Sequence, residues 1–404
     1  MGRYIGGPSK GIMAPLMNTI AGHRRLIILL GAAIAIGPMS IDMYLPALPA
    51  LARELGATQG QAQFTLAAYF VGLVLGQLAY GPLIDRYGRK RPLYAGLLLY
   101  ILASLGCALA WGIEALVAFR VLQALGGGAT IVVSRTVVRD LFDPKTAAKV
   151  ISLMMLVMGL APILAPLAGG WVLVGLGWRW IFGALVLFAL GCLVAVWRVM
   201  PETGKAHSGP RGGYLSVFSD RRFLCYALGG ALGQAGMFAY ISAAPFVFIE
   251  LHGVPPEHFG WLFGANSLGL IGATQLNRWL VDRYSLEQVL RGALATQAVM
   301  GLALVAVVLI GRGGLPALML PLFFSIAAMG LVYPNASALA MAPFGNNAGT
   351  AAASLGVLQY GAAALSGLVA GLWHDGTALP MAGGILVCAA GANVALRMLA
   401  PKAA

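Results

Sequence analysis

"GPLIDRYGRKRPL", residues 81–93, lies between two long apolar runs and sets Asp85 among Arg86, Arg89, Lys90 and Arg91. Charge is scarce elsewhere, at 10% of 404 residues. Part of the stretch returns as "RWLVDRYSLEQVL", residues 278–290, where Leu-Val-Asp-Arg-Tyr answers Leu-Ile-Asp-Arg-Tyr and Asp282 answers Asp85. Each copy follows the second of six apolar runs, so the chain reads as two equivalent halves of six helices. The halves have diverged: Ser285, Leu286 and Glu287 stand where the first copy has Gly88, Arg89 and Lys90.

Hydrophobic residues make up 60% of the chain and glycine numbers 55, a composition too apolar for a soluble protein. Apolar runs of about 20 residues recur, each long enough for a helix to cross a hydrocarbon core. The shorter, alternating segments of an outer-membrane barrel are not seen. Polar breaks divide the chain into twelve spans, roughly 26–50, 62–82, 92–111, 113–137, 149–174, 179–199, 222–249, 259–280, 288–311, 315–340, 347–373 and 379–399. The first is too long for a cleaved leader and contains Asp42. The predicted fold is therefore an all-α polytopic membrane protein. Its twelve transmembrane helices form two pseudo-symmetric six-helix bundles, residues 1–199 and 222–404. A Gly-, Ser- and Pro-rich linker at 200–221 joins them.

Net charge is +13, but its placement speaks for topology rather than nucleic acid. On the side that holds both termini the loops carry 21 Lys and Arg, against Arg53, Arg179 and Arg312 on the other; Arg120 and Arg135 fall inside span four. By the positive-inside rule both termini are cytoplasmic. Cys107, Cys192, Cys225 and Cys388 lie within spans without paired spacing, and the five histidines lie in loops or tails. Neither pattern suggests a disulfide, a metal site or the clustered chemistry of a membrane-embedded enzyme. No GxxxxGK loop is present, so ATP-driven transport is not expected.

Two charges stand isolated inside spans. Asp42 lies in span one near Pro38, Pro46 and Pro49, and Arg120 lies in span four. An ionisable group there costs at least about 2.5 kcal/mol unless it faces a cavity or a partner. A solvated helix end for Asp42 and snorkelling for Arg120 are the structural alternatives. Counting at about 1.5 Å per residue puts both roughly 10–12 Å below the outer surface, in one layer. This depth suggests a proton-coupling pair. Arg135 falls fifteen residues after Arg120, about 60° off its face, at the inner mouth of a cavity. Met154 and Met158, one turn apart in span five, suit a pocket for varied apolar ligands or ordinary core filling. Gln359 is an intramembrane polar residue that joins them as a binding candidate.

Gly81-Pro-Leu-Ile-Asp85-Arg86-Tyr-Gly88-Arg89-Lys90 resembles the signature loop of the major facilitator superfamily. "SIDMYLPALPAL" in span one, "FRVLQALGGGATIVVSRTVVRDLF" in span four, "APILAPLAGG" in span five and "PET" after span six resemble its drug/proton antiporters, most of all the Bcr/CflA branch of drug-efflux proteins. The resemblance covers essentially the whole chain and is most specific over residues 38–203. It implies a cytoplasmic gate at Gly81, Asp85, Arg86, Gly88, Arg89 and Lys90, with Asp140 the nearest second acid for the arginines. It implies an antiporter helix five bent by Pro162, Pro166, Gly169 and Gly170, and adds Leu66, Tyr69, Met237, Phe238 and Ile241 to the pocket. The function it implies is export of small amphipathic antibiotics by proton-coupled alternating access. No cofactor beyond the proton gradient is needed, and a monomer in the bacterial inner membrane is expected. A dedicated metabolite or amino-acid exporter, or an inward symporter, is the rival within transport.

Overall fold

The computed structural model describes residues 23–142, 144–203, 214–344 and 348–399. Most of the expected linker, residues 204–213, lies outside the described residues, as do the side chains of Met155 and Met158. Within these limits the first half contains α1 (Arg24–Asp42), α2 (Gln59–Tyr87), α3 (Lys90–Ala108), α4 (Ile113–Leu141), α5 (Pro144–Leu176) and α6 (Arg179–Val199). The second contains α7 (Arg221–Pro245), α8 (Pro256–Leu280), α9 (Leu286–Ile310), α10 (Gly314–Met341), α11 (Ala348–Leu372) and α12 (Leu379–Leu399). Eleven of the twelve crossings stand out by length and hydropathy. The twelfth is α8, whose 25 residues suffice to span but include Asn266, Ser267, Thr274 and Asn277. Neighbours meet part of this polarity, since Asn266 donates to the Tyr240 hydroxyl at 3.0 Å and Asn335 of α10 donates to Asn277 Oδ1 at 2.6 Å, while Ser267 and Thr274 donate to carbonyls of α8 itself.

Helices run past the apolar stretches that announce them. The expected loop at 81–91 is mostly helix, since α2 continues through Pro82 to Tyr87 and only Gly88 and Arg89 separate it from α3. Span one runs on beyond α1. Pro46 and Pro49 remove backbone donors, and the chain passes through a 3₁₀ turn, Leu45–Ala47, before a short helix, Leu48–Glu54. The end of the bundle that carries Gly88, Phe142 and the start of the linker is called here the linker end, and the opposite end the far end. Exposed tryptophans mark both: Trp111, Trp171, Trp180 and Trp261 towards the far end, Trp197 and Trp279 towards the linker end.

The halves meet through two helix pairs, α2 with α11 and α5 with α8. At the far end the first pair approaches so closely that a Cβ on Gly371 would lie 2.8 Å from the Gly60 carbonyl oxygen. Arg53 forms a 2.9 Å ion pair across the halves with Glu250, which sits in a π-helical turn (Phe246–Leu251) that extends α7. One apolar core cluster joins the first half to the far-end layers of the second, including Phe238, Ile241, Phe259, Phe263 and Ile385. The linker-end layer of the second half, around Phe223, Leu290, Val332 and Leu396, forms a separate cluster. The two halves are thus fused at the far end and packed separately at the linker end.

Candidate functional site

Asp42 ends α1 and is 5% exposed, with no ion-pair partner among the described residues. The 3₁₀ turn that follows packs against α7 and α8, which brings this part of α1 to the junction of the halves. Tyr240 of α7 belongs to the same core cluster as Met43 and Tyr44, which follow the end of α1. Its hydroxyl already accepts the amide of Asn266.

Arg120 lies at the same depth on the other side of α1. It is fully buried, and its Nη1 donates to the Ser40 carbonyl at 3.0 Å and to Gln123 Oε1 at 2.7 Å. Its guanidinium lies over the rings of Tyr44 at 4.6 Å and Tyr69 at 4.3 Å. Nε and Nη2 have no hydrogen-bond partner among the described residues. Ser40 and Tyr44 each stand two residues from Asp42, and at about 100° per residue this turns Asp42 to the opposite face of α1. The depth count therefore aligned the two charges, whereas the helix face separates them. Around Arg120 runs a closed polar network. Gln123 donates to Ser104 Oγ at 2.8 Å, Ser104 to the Tyr100 carbonyl at 2.7 Å, and the Tyr100 and Ser40 hydroxyls meet at 2.6 Å. Sequence reasoning missed these partners, because Ser, Gln and Tyr in a span look alike whether bonded or not.

The pocket candidates spread around the junction. Leu66 is fully buried, Tyr69 supports Arg120, and Met154 is buried. Phe238 meets Phe70 of the first half edge to face, with centroids 4.5 Å apart; Met237 and Ile241 flank it, and Gln359 is buried on α11. On α5, a Cβ on Gly169 would run into the Met43 carbonyl, and one on Gly170 would lie 2.6 Å from the Pro256 carbonyl oxygen of α8. The helix continues through Pro162 and Pro166. These glycines thus set how closely α5 approaches α1 and the second half.

At the linker end, Arg89 is almost wholly buried. Its Nε donates to Asp140 Oδ2 at 2.7 Å, and Nη1 donates to the Ile84 carbonyl at 3.3 Å. Gly88 has φ +81, a conformation that suits glycine, and it turns the chain from α2 into α3. The residue missed here is Glu202: its carboxylate accepts the backbone N–H of Arg89 at 2.7 Å and of Lys90 at 3.1 Å, capping α3 from the start of the linker. Next to it Thr203 donates to Asp140 at 3.2 Å. Arg86 lies over the Tyr87 ring, and Gly81 and Asp85 are half-buried on the last turns of α2. Arg135 is exposed on α4.

Long apolar helices, a charged turn between α2 and α3, and isolated intramembrane charges describe a polytopic membrane-transporter scaffold. Residues 28–367 match the Major Facilitator Superfamily, and the chain belongs to that family. It is accordingly a multi-pass membrane transporter rather than an enzyme. Among relatives, it is 34% identical over 384 residues to the uncharacterized MFS-type transporter YdgK of Bacillus subtilis, covering 91% of this chain and 93% of that one. It is 31% identical to a bicyclomycin resistance protein homolog of Haemophilus influenzae, covering 88% and 91%. Among solved structures, a D-xylose-proton symporter superposes with TM-score 0.73 at 16% identity, covering 94% of this chain and 98% of that one.

Proposed function

We propose that the protein is a drug/proton antiporter of the bacterial inner membrane that exports small amphipathic antibiotics, with its linker end in the cytoplasm. The observation that carries the reading is Asp42, a buried carboxylate at the junction of the two halves with no ion-pair partner among the described residues. Such a group holds one exchangeable proton, and the cost of its charge changes with what fills the cavity. Water or drug entering from the linker end alters that cost, so proton loading and drug binding are linked without direct contact. Arg120 acts on Asp42 through the backbone of α1, which it holds at Ser40. The relative named for bicyclomycin resistance and the 21 to 3 distribution of basic residues support the substrate class and the orientation. The turn at Gly88 and Arg89, pinned to Asp140, serves as the cytoplasmic gate.

Two measurements test the reading. A susceptibility panel in a pump-deficient bacterium should show resistance with the wild-type chain and none with Asp42→Asn. Purified protein in weakly buffered detergent with a pH dye should release protons on drug addition. Release that survives Asp42→Asn would place the coupling acid elsewhere.

A further inference from the structure

Where the linker ends of α7, α9 and α12 come together, an open-sided cavity of about 470 Å³ is lined by Arg291 and Ala295 of α9 and Asn393, Leu396 and Arg397 of α12. Transport by alternating access between the halves makes no use of it, since every lining residue belongs to the second half. We infer that this cavity is a binding site for the phosphodiester headgroup of an anionic phospholipid in the linker-end leaflet.

Charge, depth and apolar surroundings support this assignment. Arg397 is exposed and has no ion-pair partner among the described residues. Arg291 gives one N–H to Glu287 at 2.5 Å, and the rest of its fork meets no other acid among the described residues. A third arginine joins from α7: Arg221 donates to the Met398 carbonyl at 3.1 Å, one residue beyond Arg397. Three guanidinium groups against one carboxylate leave a net positive recess at the level where headgroup phosphates lie, the setting in which basic pockets between helices bind acidic lipids. Asn393 ties the two walls together by donating to the Leu294 carbonyl at 3.0 Å, so the recess is a fixed part of the bundle. Towards the membrane centre the walls converge, and a Cβ on Gly301 would lie 3.0 Å from Leu386 Cα. The surface there is exposed and apolar at Val299, Leu302 and Val387, which suits acyl chains below a held headgroup. A soluble anion would use the arginines but not this apolar continuation.

Native mass spectrometry of the full chain, titrated with phosphatidylglycerol or phosphatidylcholine, tests the assignment. The wild-type protein should retain one phosphatidylglycerol in preference to phosphatidylcholine. Arg397→Gln should weaken that retention about fivefold, and Arg291→Gln with Arg397→Gln about 25-fold, following the usual contribution of one basic side chain at a membrane surface. Arg312→Gln, at the far end, should leave it unchanged. Inorganic phosphate at the lipid's own concentration should not displace it. Equal retention by the double variant, or displacement by inorganic phosphate, overturns the proposal. Wild-type retention of phosphatidylcholine by the double variant, at an unchanged unfolding temperature, shows that the loss is not one of folding.

Discussion

Arg120 is a cation enclosed by ring faces and carbonyl oxygen instead of a carboxylate. Each of two aromatic faces stabilises a desolvated guanidinium by about 2 kcal/mol, and only a planar group can lie against both while donating to Ser40 and Gln123. Arg120→Lys keeps the charge but loses the stacking and the fork. It is expected to lower transport at least about tenfold, equivalent to about 1.4 kcal/mol, and to lower the unfolding temperature measured in detergent. An unchanged rate would mean that the charge alone suffices. The sequence made both intramembrane charges legible, since ionisable residues are rare in apolar runs. Their relation was harder to read. Depth follows from counting residues, whereas the face of Asp42 relative to Ser40 and Tyr44 becomes meaningful only once the position of α4 is known.

Among elements, α3 and α9 begin at corresponding places in the two halves and are finished differently. Ser285 and Gln288 form a capping box at the start of α9, with Ser285 Oγ accepting the Gln288 N–H at 3.2 Å and Gln288 Oε1 accepting the Ser285 N–H at 2.9 Å. The first copy has no such box at Gly88 and Arg89 and takes its cap from Glu202 instead. The substitution of Ser285 for Gly88 between the repeats thus replaces a borrowed cap with a local one. Glu202→Ala should cost α3 about 1 kcal/mol of local stability. Hydrogen exchange should then speed up at the amides of Arg89 and Lys90 and stay unchanged at Gln288. Equal protection at all three would deny Glu202 its capping role. The capping box was legible as Ser-x-x-Gln. The borrowed cap was not, because it joins residues 113 apart.

For the whole molecule, the helical crossings were legible because lipid requires long apolar helices, and the repeat marks corresponding turns after α2 and α8. What the sequence left open was how the halves touch, since glycine pairs such as Gly60 and Gly371 carry no signal until the helices are set side by side. That contact contributes more to far-end closure than the Arg53 and Glu250 ion pair, whose side chains are 69% and 29% exposed and which is worth about 0.2–1 kcal/mol. Gly371→Val should therefore hold the far end open, raising alkylation of a cysteine placed at position 374, beside Gly60, by a membrane-impermeant reagent and abolishing transport. Arg53→Gln should shift the same labelling by no more than about fivefold. Labelling equal to that of the wild-type background in Gly371→Val would show that the crossing does not govern closure.

The borrowed cap also sets an order of events at the ribosome. The N–H groups that open α9 meet their partners within three residues, almost as soon as they leave the exit tunnel. Those of Arg89 and Lys90 wait until Glu202 has been made, 113 and 112 residues later, which at typical elongation rates is roughly 6 to 23 seconds. Throughout that interval the turn after α2 is an unfinished helix start at the membrane surface, and it is completed only by the residue that follows the sixth crossing. The first bundle thus registers its own completion before the second begins.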